Sequence, residues 1–219
     1  YGDHRDLHLS LRRQRQMCIR DRLDSFPVKH LKKIHKKWYE KYIFFDNKQK
    51  EIKSKYFKIK KIPNSILSLC NEKVNFIEYS PKIFKFLNNV SKLIKKHKDN
   101  CFLAIDYGYC DDYFKNTLQA LKKHKKVSIF HDPGKTDITY LVNFKLINQI
   151  FKKNGLTNAY NISQSTFLKK NGILVRLEHA KKNLISSKSK TKLEMAVNRL
   201  IDPRQMGNLF KVLKVTNEN

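Results

Sequence analysis

Apolar residues in this chain come in short runs separated by lysine-rich polar intervals, and the spacing inside each run predicts the element it forms. Residues 102–105 (FLAI) are continuously apolar, the pattern of a strand covered on both faces, and the run ends on Asp106, Tyr107 and Gly108. Residues 127–130 (VSIF) repeat the arrangement and end on HDPGKTD, residues 131–137. Residues 38–45 (WYEKYIFF) are aromatic and β-branched and predict a strand. A second strand is expected at 56–62, with the lysine-rich interval 47–55 joining the two as a hairpin. Residues 74–79 (VNFIEY) read as a further strand, stopped by Ser80 and Pro81.

Helical periodicity follows at once. Pro81 suits a first helical turn, and Ile83, Leu87, Val90 and Ile94 form one apolar stripe. This helix leads into the 102–105 strand, giving βαβ order. Residues 117–123 suggest a short helix with Leu118 and Leu121 inward. Residues 142–153 predict a clearer one, with Phe144, Ile147 and Phe151 on a face joined by Leu146 and Ile150, and Gly155 beyond its end as a left-handed cap. A strand is expected over 156–164 and a helical turn over 166–171, stopped by Gly172. The helix over 190–201, with Leu193, Ala196, Val197 and Leu200 inward, ends at Asp202 before Pro203. Residues 209–215 (LFKVLKV) are expected to close the sheet.

The chemistry gathers where the apolar runs stop. Open α/β sheets handle ligands outside the carboxyl ends of their strands. Asp106-Tyr107-Gly108 and Asp132-Pro133-Gly134, with Gln119 and Thr139 near them, therefore predict one polar rim. Ordinary turn chemistry accounts for either tripeptide alone, because Asp, Pro and Gly all favour turns.

Composition narrows the function classes. The 219 residues suffice for one α/β domain with a substantial core. A formal charge of +28 invites an anionic partner, nucleic acid or membrane. Lysines fall nearly everywhere (Lys32, Lys53, Lys95, Lys125, Lys152, Lys188), which favours a lysine-biased surface over a dedicated binding arm. The basic residues interleaved with Tyr42, Phe44, Tyr56 and Phe57 could stack on RNA; half-buried strands explain the same pattern. Cys18, Cys70, Cys101 and Cys110 lack metal-ligand spacing, and no metal site is expected. No run approaches the roughly 18 apolar residues of a membrane span. Residues 1–22 stand apart: they hold six of the nine arginines and no lysine. The string LSLRRQRQMCIRDR resembles a translated sequencing-adapter read, and the segment is expected to be foreign or unstructured.

Five motifs, IDYGY, TLQALKKH, DPGKTDITYLVNF, ISQSTFLKKNGI and RLIDPRQMGNLFKVL, resemble in order and spacing the C-terminal half of the MidA family of S-adenosylmethionine-dependent methyltransferases. The resemblance covers residues 23–217 and implies an α/β fold: an incomplete Rossmann-like, class I methyltransferase sheet with flanking helices and a small β insertion at about 38–62. It implies S-adenosyl-L-methionine as cofactor and protein-arginine methylation linked to respiratory complex I assembly. The implied partner is a complex I subunit, in the bacterial cytoplasm or, in a eukaryote, the mitochondrial matrix. The family's Asn-Glu-x-x-Asp-x-x-Pro segment is matched at Asp24 and Pro27, while Arg20 and Asp21 replace the Asn-Glu pair. The family's Ala-His-Val-Asp-Phe reads Tyr140-Leu141-Val142-Asn143-Phe144 here, so Leu141 and Asn143 inherit no charged role.

By resemblance, catalytic candidates are Asp24, Asp106, Asp137 and His124. Rim candidates are Pro27, Tyr107, Gly108, Gln119, Asp132, Gly134, Thr139, Gln164, Met206 and Gly207. An arginine acceptor is always charged in water, so carboxylates must orient it and help remove its proton. The six glycines stand alone at 2, 108, 134, 155, 172 and 207. The glycine-rich cofactor loop of such folds is therefore expected upstream, the chain is expected to be a fragment inactive by itself, and an apolar sheet edge is expected to be exposed. The competing readings are a basic nucleic-acid-binding module and a non-catalytic assembly protein.

Overall fold

A computed structural model describes residues 23–68, 74–123, 125–157 and 159–217. The Arg-rich segment 1–22, with Cys18, lies outside the described residues, as do Cys70 and His124. Leu23–Ser25 forms a single 3-10 turn. The first sheet is antiparallel, in the order β3-β2-β1-β4, from β1 (Lys29–Ile34), β2 (Lys37–Asp46), β3 (Glu51–Lys58) and β4 (Phe76–Tyr79). β1 was not evident from its lysine-rich sequence. Pairing on both edges builds it, and the tight turn into β2 sets His35 and Lys36 at φ 45° and 63°, the left-handed pair a two-residue hairpin requires.

The β2–β3 hairpin forms as expected, but β3 starts at Glu51, directly opposite Asp46, and stops at Lys58. Register with β2, rather than apolar content, sets its limits. Tyr42, Phe44 and Phe57 stand exposed, not half-buried. The single turn α1 (Asn64–Leu67) places Ile66 in the core. In α2 (Pro81–Ile94) the Ser80 side chain caps the N-terminus and Pro81 occupies the first turn. Ile83, Leu87 and Ile94 are buried, Val90 packs partly buried against the core as expected, and Ser91 is buried beside it, donating to the Leu87 carbonyl at 2.8 Å.

β5 (Cys101–Tyr109) runs to the second sheet, so β4 and β5 are not a βαβ pair within one sheet. Phe102, Ala104, Asp106 and Gly108 point inward, while Leu103, Ile105 and Tyr107 are exposed. The strand is thus covered on one face, not both, and it continues through Asp106-Tyr107-Gly108 instead of ending there.

A small sheet ordered β7-β6-β8 comes next, from β6 (Gln119–Lys122), β7 (Lys125–Val127) and β8 (Asp137–Thr139). β6 replaces the short helix expected over 117–123: seven residues nucleate a helix poorly, and this segment is paired on both edges. The strand expected over 127–130 is likewise displaced, ending at Val127.

β9 (Val142–Asn143) and α3 (Phe144–Lys153) follow, and the Asn143 side chain caps α3 by accepting from Leu146 N. The remaining elements are β10 (Ala159–Ser163), α4 (Gln164–Lys170), α5 (Ile173–Lys182), α6 (Ser187–Ile201), a π turn over Pro203–Gly207 and β11 (Phe210–Thr216). Gly155 and Gly172 take the left-handed conformations their cap positions require, at φ 75° and 78°. In α6, Val197 and Ile201 are buried, whereas Ala196 is exposed. β11 does not close the second sheet. It lies inside it, antiparallel to both β10 and β5, in the order β10-β11-β5-β9. One core runs from Leu31 and Ile77 of the first sheet, through Leu87, Phe144 and Phe151 of α2 and α3, to Phe102 and Leu213 of the second.

Candidate active site

The inward position of Asp106 on β5 brings its carboxylate under the 3-10 turn. Asp106 Oδ2 accepts from the backbone N–H of Asp24 at 3.2 Å, and Oδ1 from the N–H of Tyr107 at 2.8 Å. The Leu23 N–H also hydrogen-bonds this carboxylate. Asp24 and Asp106 are 8% and 6% exposed. Burial first, then the like charge of Asp24, pushes the Asp106 carboxyl up to about 6, against the lowering effect of those backbone donors.

Asp24 forms one wall of a cleft of about 320 Å³, within the usual size of small-ligand sites. Pro27, Ile43, Leu118, Ile138 and Tyr140 supply much of the rest. A side pocket of about 50 Å³ extends from it past Ile43 to His30 and Lys41. Tyr140 is held by its own N–H, which donates to the Asp24 carbonyl at 3.1 Å. Its hydroxyl is buried and meets no hydrogen-bonding partner among the described residues. Burial, with Glu78 and the two aspartates nearby, raises the phenol far above its ordinary value, so it stays protonated. Buried hydroxyls are ordinarily satisfied, so this one stands out in the wall of the cleft.

A buried carboxylate fixes the opposite wall. Glu78 on β4 sits 2.7 Å from His30 Nε2 and accepts from the backbone N–H groups of Thr117 and Leu118, both at 3.1 Å, and from the Thr117 hydroxyl. That hydroxyl in turn accepts from Leu141 N at 2.8 Å. The chain of bonds thereby locks Leu118 and Tyr140 into the cleft.

Of the catalytic candidates, Asp24 lines the cleft and Asp106 stands behind it, bonded to the turn that carries Asp24. Asp137 begins β8 beside the lining residue Ile138 but is itself exposed, and His124 lies outside the described residues. Pro27 lines the cleft. Gln119 and Thr139 face each other across β6 and β8. Tyr107 packs on Phe210 with ring centroids 4.0 Å apart.

Turn chemistry accounts for Asp132 and Gly134. They lie in an exposed loop at φ 44° and 87°, and Asp132 pairs with Lys122. Three more candidates lie outside the cleft lining. Gln164 donates to the Leu200 carbonyl at 2.9 Å, and Met206 and Gly207 belong to the π turn. A Cβ on Gly207 would come within 2.5 Å of the Ile201 carbonyl oxygen. His30, Lys41, Ile43, Glu78 and Tyr140 were missed. The two acid–base partners His30 and Glu78 are 48 positions apart, with no local pattern to join them.

A model of the family described as "Putative S-adenosyl-L-methionine-dependent methyltransferase" matches residues 10–162, beginning inside the Arg-rich segment. Among curated proteins, the mitochondrial protein arginine methyltransferase NDUFAF7 of Xenopus laevis is 25% identical over 199 residues, 88% of this chain and 44% of that protein. Its Drosophila melanogaster homolog is 30% identical over 112 residues, 51% of this chain and 25% of that one. The Mus musculus protein is 24% identical over 187 residues, 85% and 42% of the two chains. The chain therefore spans less than half the length of these curated relatives.

Two solved structures from Burkholderia thailandensis share the fold, confirming the mixed α/β class. An uncharacterized protein superposes with a TM-score of 0.75 at 23% identity, over 89% of this chain and 53% of that one. A member of the same superfamily with S-adenosyl-homocysteine bound gives 0.73 at 22%, over 89% and 51%.

The described residues do not include the glycine-rich loop expected to hold such a cofactor. Gly108, at the strand end, is closed off by protein: a Cβ there would lie 2.2 Å from the Val142 carbonyl oxygen and 2.7 Å from the Phe144 ring. No glycine-rich turn opens a helix among them, so they offer no cradle of backbone amides. What they build is a carboxylate, a phenol and apolar walls, which suits an acceptor side chain.

Proposed function

Because the chain belongs to this S-adenosyl-L-methionine-dependent methyltransferase family, we propose that it forms the acceptor side of a protein-arginine methyltransferase. The observation that carries the proposal is the pairing of a buried carboxylate, Asp24, with the unpartnered hydroxyl of Tyr140 in one apolar cleft. A guanidinium is planar, multiply donating and more weakly hydrated than an ammonium. Apolar walls would take its methylene stem while Asp24 and the Tyr140 oxygen accept its N–H bonds. Asp24 would orient the guanidinium and receive the proton that the methylated nitrogen sheds, with Asp106 holding the turn that presents it. The relatives, protein arginine methyltransferases by name, support arginine in a protein as acceptor. A respiratory complex I subunit as substrate, and the bacterial cytoplasm or mitochondrial matrix as compartment, belong to the same proposal.

The test is calorimetric titration of the chain with an arginine peptide and its citrulline analogue, which keeps the shape and removes the charge. Arginine should bind more tightly by about 2 kcal/mol, some thirtyfold, and Asp24→Asn should abolish the difference. Equal affinity for the two peptides would overturn the reading.

A further inference from the structure

The β2–β3 hairpin builds the outer end of the cleft, and its two faces differ in charge. Strand alternation puts Lys37, Lys41, Ile43 and Phe45 on one face, with Lys58 opposite Tyr39 on the same side. Ile43 and Lys41 line the cleft system, which assigns that face to the cleft. Ile43 and Phe45 are 60% and 57% exposed, forming an apolar ledge that continues outward from the cleft wall. None of the three lysines is ion-paired among the described residues. The hairpin's carboxylates all belong to the other face, where Glu40 pairs with Lys29, and Asp46 and Glu51 with Lys53.

The cleft is therefore bipolar. It ends on the Asp24 carboxylate, with Asp106 behind it, and opens beside ammonium groups unpaired among the described residues and exposed apolar side chains. We infer that the cleft-facing side of the hairpin docks the polypeptide around the modified residue and selects a flank bearing Asp or Glu beside an apolar side chain. This rests on the acceptor-cleft reading above. Charge complementarity decides between classes of partner: a basic side chain enters the acidic end, and its acidic neighbours meet Lys37, Lys41 and Lys58. A nucleic acid would satisfy the lysines but would be repelled by the carboxylates at the closed end.

Fluorescence anisotropy on the whole chain tests this with four labelled peptides, carrying central arginine or citrulline with glutamate or lysine flanks. The glutamate-flanked arginine peptide should bind more tightly than the lysine-flanked one by about three- to tenfold at low salt. Lys41→Glu should remove that preference, the exposed Phe45→Ser should weaken both arginine peptides, and the remote Lys98→Glu should change nothing. Equal binding of the two flanks, or a preference for lysine, overturns the inference. So does a single-stranded oligonucleotide that displaces the peptides and loses affinity in Lys41→Glu, or self-association of the chain that Phe45→Ser abolishes. If the flank preference persists while citrulline binds as well as arginine, the hairpin inference stands and the arginine reading falls.

Discussion

The backbone N–H of Asp24 donates to the side chain of Asp106 across 82 positions of sequence. This bond ties the 3-10 turn, which supplies the cleft carboxylate, to β5, an interior strand of the second sheet. It also puts two acids next to each other in a place where water cannot separate them, and that has a measurable cost.

Asp106 has a folded-state value of about 6, above the ordinary 3.8. Between those values the folded chain holds a proton that the unfolded chain has released, so this group's contribution falls as pH rises from 4 through 6. Urea denaturation of the parent and Asp106→Asn from pH 4 to 7.5 should show the difference in stability moving in the variant's favour by about 2–3 kcal/mol. A constant difference across that range would show that Asp106 titrates normally.

Tyr140→Phe removes a buried hydroxyl that has no partner among the described residues. The folded chain should be unchanged or more stable by about 1 kcal/mol in thermal denaturation. Arginine-peptide affinity should fall several-fold in the same variant, which separates a ligand-binding hydroxyl from a packing one.

Glu78→Ala should cost about 3–5 kcal/mol, because it strands His30, Thr117 and Leu118 donors in the interior. Chemical denaturation gives the loss. Peptide affinity should fall with it even under fully native conditions, since Leu118 and Tyr140 lose their anchor.

Gly108→Ala should destabilise by about 1–3 kcal/mol. The new methyl group meets the rigid Val142 carbonyl, not a flexible side chain, so the β5–β9 pairing must part. Hydrogen exchange at Tyr109 and Asn143 should quicken before global unfolding does.

Several parts of this molecule were legible in its residues. Ile83, Leu87 and Ile94 announced α2, and Phe144, Ile147 and Phe151 announced α3, because helical spacing is a local property. Pro81, Gly155 and Gly172 marked element ends for equally local reasons. The family motifs nominated Asp24, Pro27 and Asp106, which the fold gathers in or behind one cleft, and also Gln164, Met206 and Gly207, which do not line it.

What the chain could not declare was partnership. β1 and β6 are strands because neighbours pair with both their edges, and β11 lies inside its sheet because β10 and β5 both need its backbone. Asp106 differs from the exposed Asp132 only in what surrounds it. The pairing of His30 with Glu78, the orphaned Tyr140 hydroxyl and the one-sided charge of the hairpin all arise from contacts between distant segments. Periodicity and capping are decided within a few residues, so sequence alone determined α2, α3, most of α6 and the candidate motifs, whereas α5 went unpredicted and the helix expected over 117–123 became β6. Burial, register and electrostatic environment depend on distant chain brought together, so only the tertiary structure decided which of those residues make a site.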